Sequence, residues 1–318
     1  MASLTVSPKG PPATFLDVPL ALDLERLDAE IAVIGVPYGN PYNIDEVAND
    51  QSRAPTAIRR ASELISTGWD RWDFDVDGLP LRGKAIRVVD CGDVPGDARD
   101  LDLHYRNAES AVRKILGRGA LPIVMGGDHG ITIPVLRGYQ DHGPITVVQI
   151  DAHIDWRDDK FGVPTGYSSP MRRASEMAHV SSIFQVGLRG QGSARAEEVA
   201  AARSYGAALI SASDVHEKGI KPVLDAIPEG GRYYITVDGD AFDPSVMPGV
   251  AGPVPGGLTF HQVQGLITGC IRKGRMVGLD IVELAPARDL NGISAITMGR
   301  LMLVAIGAAA AAGYFEPP

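Results

Sequence analysis

Three side chains that can bind a metal ion follow an apolar run near the middle of the chain. The run spans 145–150, and Asp151, His153 and Asp155 follow it at alternate positions. Alternate residues of an extended chain point to one side, so two carboxylates and an imidazole can meet at one point. Such oxygen and nitrogen ligands suit a divalent transition ion such as Mn, Ni, Fe or Zn. The alternative, for this stretch taken alone, is a polar loop after a core strand.

Two further apolar runs end in residues of the same kind. His129 follows the run at 121–125, and Asp238 and Asp240 follow the run at 231–237. The carboxyl ends of parallel strands meet at one edge of a sheet, so we expect these residues to share a region with the first three. Carboxylates this close raise one another's pKa unless cations neutralise them. Six ligands of this type suit two divalent ions that share bridging carboxylates.

The elements that must position these residues alternate along the chain. Strands are predicted at 31–36, 85–90, 121–125, 145–150, 182–186, 208–210, 231–238 and 276–283. Helices are predicted at 54–66, 103–117, 131–139, 193–205, 215–227, from 260 onward, and at 291–312. This alternation predicts an α/β fold in which helices cover both faces of one parallel sheet. Because no repeat or linker divides the chain, we expect one domain at 26–318, preceded by a proline-rich N-terminal arm at 1–25.

Composition narrows the class of protein. The 318 residues are 45% hydrophobic and carry a net charge of −9, which disfavours nucleic acid or an anionic membrane as a partner. Cys91 and Cys270 are too few for a disulfide framework or a cysteine metal cluster. The apolar tract 301–312 is too short for a membrane span and is expected to pack as a helix. The N-terminus lacks a signal-peptide pattern, so a cytoplasmic protein is expected.

Three segments together resemble the signatures of the ureohydrolases, the family that includes arginase and agmatinase. The segments are Gly126-Gly127-Asp128-His129, Asp151-Ala152-His153-Ile154-Asp155 and Val237-Asp238-Gly239-Asp240-Ala241-Phe242-Asp243-Pro244. Their order and spacing match over roughly 30–310. Segments at 172–174, 187–190 and 255–259 are similar to agmatinases rather than arginases, so the chain is identified as an agmatinase-like member.

The resemblance implies a three-layer α/β/α sandwich around a mostly parallel sheet of about eight strands. It also implies a binuclear metal centre, with Mn2+ the usual ion and Ni2+ in some relatives. One ion would be bound by His129, Asp151, Asp155 and Asp238, and the other by His153, Asp151, Asp238 and Asp240. Asp151 and Asp238 would bridge the two ions. The implied reaction is hydrolysis of a guanidinium group to urea and an amine.

The implied chemistry assigns roles to several residues. Two metal ions lower the pKa of a bridging water, and the resulting hydroxide would attack the guanidinium carbon. Asp155 is the candidate to carry a proton to the leaving nitrogen. Glu283, at the end of the last strand, is expected to bind the guanidinium through two parallel hydrogen bonds. Asp128 and Asp243 are expected beside the ligands, where they would orient them.

The chain departs from the family pattern at the substrate end of the site. Tyr167 stands where relatives carry a histidine that is proposed to relay protons. The loop at 248–257 replaces hydroxyls and a carboxylate with apolar groups, and the segment at 50–55 also differs. We therefore expect a small cationic guanidino substrate of an unusual kind, such as an alkylated guanidine or a biguanide. The residues expected to line its pocket are Trp156, Asn43, Arg189 and Val254.

Two other functions remain open at this point. A formiminoglutamase would have the same fold and metals and would need a cation for the substrate carboxylate, a role for Arg189 or Arg53. A non-catalytic partner subunit would be the second alternative, although six intact ligands argue against it. Relatives form trimers or hexamers, so a homo-oligomer is expected, either alone or with a paralogous subunit.

Overall fold

The structure is a computed structural model that describes residues 13–42, 50–65, 68–96, 100–192 and 194–316. Its eight named strands form one sheet in the order β2-β1-β3-β8-β7-β4-β5-β6, and every pairing between them is parallel. The strands are β1 Ile31–Val36, β2 Val88–Asp93, β3 Leu121–Gly126, β4 Ile145–Ile150, β5 Val180–Leu188, β6 Ala208–Ser211, β7 Arg232–Asp238 and β8 Arg275–Val282. The predicted parallel sheet of about eight strands is therefore confirmed.

Helices cover both faces of this sheet. They are α1 Ala54–Ser62, α2 Leu101–Gly117, α3 Thr132–Arg137, α4 Pro170–Ala174, α5 Ala196–Tyr205, α6 Ala212–Lys218, α7 Lys221–Ala226, α8 Phe260–Lys273 and α9 Ile293–Ala311. Side chains of α1, α6, α7, α8 and α9 share one hydrophobic cluster with the sheet. Side chains of α2, α3, α4 and α5 share a second cluster on the opposite face. The fold is thus the expected three-layer α/β/α sandwich.

The core strands alternate their side chains between the two clusters. In β4, Val148 and Ile150 belong to the first cluster, whereas Ile145 and Val147 belong to the second. Both faces of the strand are buried, which is why its sequence is a continuous apolar run rather than an alternating one. The Asp and His residues that follow these runs therefore lie at the carboxyl ends of the strands, at one edge of the sheet.

Local signals explain where the helices begin and end. Thr259 caps α8, because its hydroxyl accepts a hydrogen bond from the backbone N–H of Gln262. The single helix predicted at 215–227 is wrong: α6 ends at Lys218 before Gly219, which has a φ of 74° that favours glycine, and α7 starts with Pro222 in its first turn.

Strand β2 differs from expectation in its bounds, whereas helix α9 agrees with it. The strand predicted at 85–90 lies at Val88–Asp93, because Asp90 and Asp93 are neutralised inside the fold by the buried guanidinium of Arg59. Helix α9 is long and apolar enough to cross a membrane, but 78% of its most apolar window is buried. It packs against α1 and α8 in the first cluster, as predicted for a core helix.

Candidate metal centre and active site

Four neighbouring strands carry the predicted site residues at one edge of the sheet. The strands β3, β8, β7 and β4 are adjacent in that order. His129 lies shortly after β3, Glu283 follows β8, Asp238 ends β7, and Asp151 follows β4. Residues more than a hundred positions apart in sequence therefore meet because their strands are neighbours in the sheet.

The first group of ligand atoms surrounds the imidazole of His129. Its Nδ1 lies 3.0 Å from an oxygen of Asp151, 2.9 Å from one of Asp155 and 3.1 Å from one of Asp238. Its Nε2 lies 2.9 Å from the hydroxyl oxygen of Thr236. The Thr236 hydroxyl in turn hydrogen-bonds to a carboxylate of Asp280, which leaves its oxygen to accept from Nε2. In a neutral ring this relay would leave Nδ1 as the unprotonated nitrogen. Without a metal ion, the three carboxylates outweigh the effect of burial and raise the pKa of His129 well above its usual value.

This arrangement fits a bound cation. Nδ1 of His129 is buried and has no hydrogen-bond partner among the described residues, although three carboxylate oxygens surround it. A nitrogen lone pair facing three carboxylates is unfavourable unless a cation lies between them. Ligand atoms that bind one ion at about 2.1 Å and at right angles lie about 3 Å apart, which matches these separations. Oxygen and imidazole donors suit Mn2+ or a similar ion.

The second group of ligand atoms surrounds His153. Its Nδ1 lies 3.1 Å from an oxygen of Asp240 and 3.5 Å from an oxygen of Asp151. Asp151 thus faces His129 with one oxygen and His153 with the other, so it lies between two potential ion sites. The groups His129–Asp151–Asp238 and Asp151–His153–Asp240 each bring three ligand atoms within 4.8 Å of one another.

Short-range hydrogen bonds hold these carboxylates in place. Asp151 accepts from the backbone N–H of His153 at 2.6 Å and from the side-chain amide of Gln149 at 2.6 Å. Asp238 accepts from the backbone N–H of Asp240 at 2.8 Å. These turns re-orient the chain as it leaves each strand, so the ligands face the sheet edge rather than continuing the pleat.

The acidic cluster carries strongly shifted pKa values in the absence of metal. Burial and the charge of Asp151 raise the pKa of Asp155 to about 7. Burial and neighbouring carboxylates raise the pKa of Asp238 and of Asp240 above the usual range. Hydrogen bonds to Asp151 and Asp240 raise the pKa of His153 to about 12. The cluster therefore retains protons or binds cations, because buried carboxylates at this separation cannot all be charged without them.

Asp155 reaches the cluster by a backbone conformation that spacing did not predict. The chain does not continue as an extended strand after β4, and Asp155 has a φ of 45°. Its carbonyl oxygen accepts hydrogen bonds from the backbone N–H groups of Met171 and Arg172, both at 3.1 Å. The first turns of α4 therefore hold this strained residue with its carboxylate against His129.

Glu283 is fixed at both of its carboxylate oxygens. One accepts from the backbone N–H of His129 at 2.9 Å, and the other accepts from the side-chain amide of Gln51 at 2.9 Å. Glu283 has a φ of 66°, and its own N–H donates to the carbonyl of Gly127. Burial and the nearby charge of Asp128 raise its pKa to about 8. A guanidinium that approached this carboxylate would restore its charged form.

A cavity of about 500 Å³ opens onto the acidic cluster. Residues from four connecting segments line it: Gln51, His153, Asp155, Arg157, Lys160, Tyr167, Ser168, Asp238, Asp240, Ala251, Gly252, Glu283 and Arg288. Its size suits a small ligand. A wider groove of about 980 Å³ lies beside β2, but none of the six predicted ligands lines it. The smaller cavity is therefore the candidate active site.

Tyr167 lines this cavity, as its position in the sequence suggested. Its ring meets the edge of the Tyr42 ring at a centroid distance of 4.7 Å. The Tyr42 hydroxyl accepts from the backbone N–H of Ser168 at 2.9 Å, which anchors the pair to the segment that follows the ligands.

Three predicted pocket residues lie elsewhere. Trp156 is 2% exposed and packs in the second hydrophobic cluster beside Tyr205, because the backbone turn at Asp155 directs it into the core. The guanidinium of Arg189 donates to five backbone carbonyls, including those of Asp240 and Val254, so it stabilises loops and does not face the cavity. Val254 accepts from it and is absent from the cavity wall, which Ala251 and Gly252 form instead.

The two residues predicted to orient the ligands behave differently from each other. Asp128 is 1% exposed and accepts from the backbone N–H of Gly130, next to His129. Asp243 was wrongly expected to orient Asp240: its carboxylate accepts from Ser245 and from the backbone N–H groups of Gly256 and Gly257, and so stabilises that loop. Asn43, the remaining predicted pocket residue, lies outside the described residues.

Several residues that line the cavity were not predicted from the sequence. Lys160 and Arg288 bring positive charge to it, and Gln51 contacts Glu283. None of them belongs to a motif with ligand spacing, so no sequence signal pointed to them. Arg53, considered for a substrate carboxylate, has a side chain that is 71% exposed and pairs with Asp50.

Comparisons with known proteins agree with this geometry. The arginase family model matches residues 29–307. Guanidinobutyrase from Pseudomonas aeruginosa is 32% identical over 298 residues, which cover 91% of this chain and 90% of the relative. Agmatinase from Photorhabdus laumondii is 31% identical, with 91% of this chain and 90% of the relative covered.

A solved structure shows the same likeness. Proclavaminate amidinohydrolase from Streptomyces clavuligerus superimposes with a TM-score of 0.79 at 28% identity, covering 96% of this chain and 99% of that chain. Fold, site and relatives agree that the chain belongs to the arginase family, as an agmatinase-like ureohydrolase.

Proposed function

We propose that this enzyme hydrolyses the C–N bond of a guanidino compound to give urea and an amine, with two divalent ions bound by the six clustered ligands. The observation that carries the proposal is the shared cavity. Members of both compact Asp and His groups line it, together with the doubly fixed carboxylate of Glu283. Hydrolysis of C–N bonds in linear amidines is the chemistry of the arginase-family relatives.

The six ligands would hold the ions in two sets that share Asp151 and Asp238. When bound, such ions supply a nucleophile from water at neutral pH and stabilise charge that develops on the substrate. Mn2+ is the first candidate because carboxylate oxygens outnumber imidazole nitrogens, and Ni2+ is the second.

The residues around the ions would position the substrate and move protons. Glu283 would accept two parallel hydrogen bonds from the planar guanidinium. Asp155, whose buried carboxylate lies 2.9 Å from Nδ1 of His129, would carry a proton toward the leaving nitrogen. Tyr167 lines the same cavity and stands at the position of the relay histidine in relatives, so it is the candidate to take part in the same proton transfer.

The relatives do not agree on one substrate. Their names include guanidinobutyrase and agmatinase, whose substrates differ in the group opposite the guanidinium. The loop residues Ala251 and Gly252 make part of the cavity wall small and apolar. This supports a small or otherwise unusual guanidine, although Lys160 and Arg288 make the cavity more polar than the loop sequence suggested.

The test is a urea assay with the purified chain loaded with Mn2+ or Ni2+. A panel of arginine, agmatine, guanidino acids, alkylguanidines and biguanides should give urea from at least one small guanidine, with two ions per chain by elemental analysis. Rapid turnover of agmatine alone would contradict an unusual substrate. Release of formamide from a formimidoyl compound, without urea from any guanidine, would support the formiminoglutamase alternative. A chain that bound no ions would support a non-catalytic subunit.

A homo-oligomer is part of the same proposal. Leu64, Trp72 and Phe74 are 74%, 58% and 90% exposed and lie around one groove beside α9. Large apolar side chains exposed together favour an interface between protein chains. Light scattering of the wild type and of Phe74→Asp tests this, because a monomeric wild type would refute it.

A further inference from the structure

Lys160 faces the active-site cavity without a carboxylate partner. Its Nζ lies over the ring of Tyr42 at 4.4 Å and within 5.5 Å of the ring centroid of Tyr167. No ion pair joins it to an acid of the described residues, and the two rings keep its charge partly desolvated without neutralising it. This ammonium is therefore available to a ligand that enters the cavity.

A tight turn fixes the position of Lys160. Its backbone N–H and carbonyl both hydrogen-bond to Val163, at 3.2 and 3.1 Å. Phe161 and Gly162, at the tip of the turn, have φ values of 57° and 82°, and Asp159 accepts from the N–H of Gly162. The turn begins only a few residues after Asp155, so it ties the ammonium to the chain segment that carries the metal ligands.

Arg288 adds a second cation to the wall of the same cavity. Its Nη1 donates to the carbonyl oxygen of Ala251 at 2.6 Å, which directs the guanidinium along the loop that forms the cavity wall. Within the described parts of the chain, its Nε and Nη2 make no hydrogen bond, and no acid pairs with it. Donors of this planar group therefore remain for an anionic ligand.

The acidic groups of the cavity have partners other than these two cations. Asp155, Asp238 and Asp240 belong to the ligand groups around the two histidines, and Glu283 is bonded to the backbone of His129. Metal ions would neutralise the first three, and a guanidinium would pair with the fourth. No further acid of the described residues lines the cavity, so the remaining charge there is positive.

We propose that Lys160 and Arg288 form a carboxylate subsite, so that the enzyme acts on guanidino acids in preference to guanidino amines or uncharged alkylguanidines. The proposal rests on the proposed function, because Glu283 must bind the guanidinium end for the cations to meet the other end. An ammonium at that end meets two like charges, whereas a carboxylate gains charge-assisted hydrogen bonds. Such a contact is worth a factor of roughly ten in kcat/KM.

The experiment compares three substrates that differ at the end opposite the guanidinium. They are 4-guanidinobutanoate, agmatine and 1-butylguanidine, each assayed for urea release by the metal-loaded enzyme. The variants are Lys160→Met, Lys160→Glu and Arg288→Gln, with Lys114→Met as the matched control. Lys114 lies on α2 and pairs with Glu25 outside the cavity. Metal content and thermal unfolding are measured for each variant, so that a misfolded protein is not scored.

The wild type should favour the acid over butylguanidine by roughly tenfold or more in kcat/KM. Lys160→Met and Arg288→Gln should each lower this ratio several-fold, Lys160→Glu should shift the preference toward agmatine, and Lys114→Met should leave the ratio unchanged. Urea release without a preference for the acid, or an equal ratio in all folded variants, would overturn the carboxylate subsite alone. No urea from any of the three compounds, with two ions bound, would overturn the subsite, whereas the proposed function fails only if no guanidine of the wider panel yields urea.

Discussion

The side-chain amide of Gln51 donates a 2.9 Å hydrogen bond to Glu283, which lies 232 positions later in the chain. The backbone N–H of His129 occupies the other oxygen of the same carboxylate. The carboxylate plane is thus set before any substrate arrives, and both oxygens keep lone pairs for a guanidinium. Such pre-organisation lowers the ordering cost of binding.

Replacing Gln51 by alanine should weaken substrate binding. A hydrogen bond to a charged group contributes about 1.5–3 kcal/mol, so Gln51→Ala should lower kcat/KM by roughly tenfold or more, mainly through KM. Gln140→Ala is the control, since the exposed side chain of Gln140 accepts a hydrogen bond from Arg113 of α2 and does not line the cavity. Steady-state assays of urea release give kcat and KM for both variants. An unchanged KM in Gln51→Ala would show that Glu283 needs no support from this amide.

Removing the charge of Glu283 should separate substrate binding from metal binding. Glu283→Gln keeps the shape of the side chain but cannot pair with a cation, so kcat/KM should fall by roughly a hundredfold or more. Both metal ions should remain, because Glu283 belongs to neither compact ligand group. Elemental analysis beside the urea assay checks this. Loss of an ion in this variant would mean that Glu283 acts as a ligand.

The position of Asp151 between the two histidines predicts unequal losses of metal. Asp151 contributes to both ligand groups, whereas Asp240 contributes only to the group around His153. Asp151→Asn should therefore lose most of both ions, and Asp240→Asn should retain about one ion per chain. Asp141→Asn, in an exposed pair with Arg113, is the control. Equal metal contents in the Asp151 and Asp240 variants would contradict a bridging role.

The sheet and the metal ligands could both be predicted from the sequence, because both depend on apolar runs that end in Asp or His residues. Buried parallel strands are continuous apolar runs, and Asp or His residues at their ends must lie at one edge of the sheet. The arrangement of the ligands in adjacent strands then follows from the strand order β3-β8-β7-β4, which no spacing in the sequence specifies.

The cavity wall could not be predicted in the same way. Trp156 follows Asp155 directly, but the φ of 45° at Asp155 turns it into the core. Arg189 is a cation in a plausible loop, yet backbone carbonyls use its donors. Lys160 and Arg288 are 128 positions apart and line the same cavity only because two loops lie over the same sheet edge. Loop direction depends on backbone turns and carbonyl partners, which spacing does not encode.

A buried guanidinium should dominate the stability of the sheet edge at β2. Arg59 is fully buried, donates to both oxygens of Asp90 at 2.8 and 2.9 Å and to Asp93 at 2.6 Å. Removing one partner leaves an uncompensated buried charge, so Arg59→Met should lower the free energy of unfolding by about 3–5 kcal/mol. Urea denaturation measures this. Arg87→Met, which breaks exposed pairs with Asp28 and Glu30, should have a much smaller effect on the free energy of unfolding. An equally small effect in Arg59→Met would show that the buried pairs of Arg59 stabilise the fold no more than exposed pairs do.

The buried imidazole of His104 should make stability depend on pH. Burial lowers its pKa from 6.5 to about 4, and its Nε2 already accepts from the N–H of Tyr38, so a proton there would place two donors face to face. Because the folded-state pKa is the lower one, the unfolded chain binds more protons between pH 6.5 and 4. The stabilising contribution is therefore complete above pH 6.5 and declines as the pH falls toward 4.

A variant without this imidazole isolates the effect from the other titrating groups. The free energies of unfolding of the wild type and of His104→Gln should be compared at about pH 7.5 and pH 4.5, with chelator present so that metal loss is common to both. The advantage of the wild type should shrink by about 2–3 kcal/mol at the lower pH, as expected for a shift of this size. A difference between the two proteins that stayed constant across this range would mean that His104 does not titrate in the folded chain below its usual pKa.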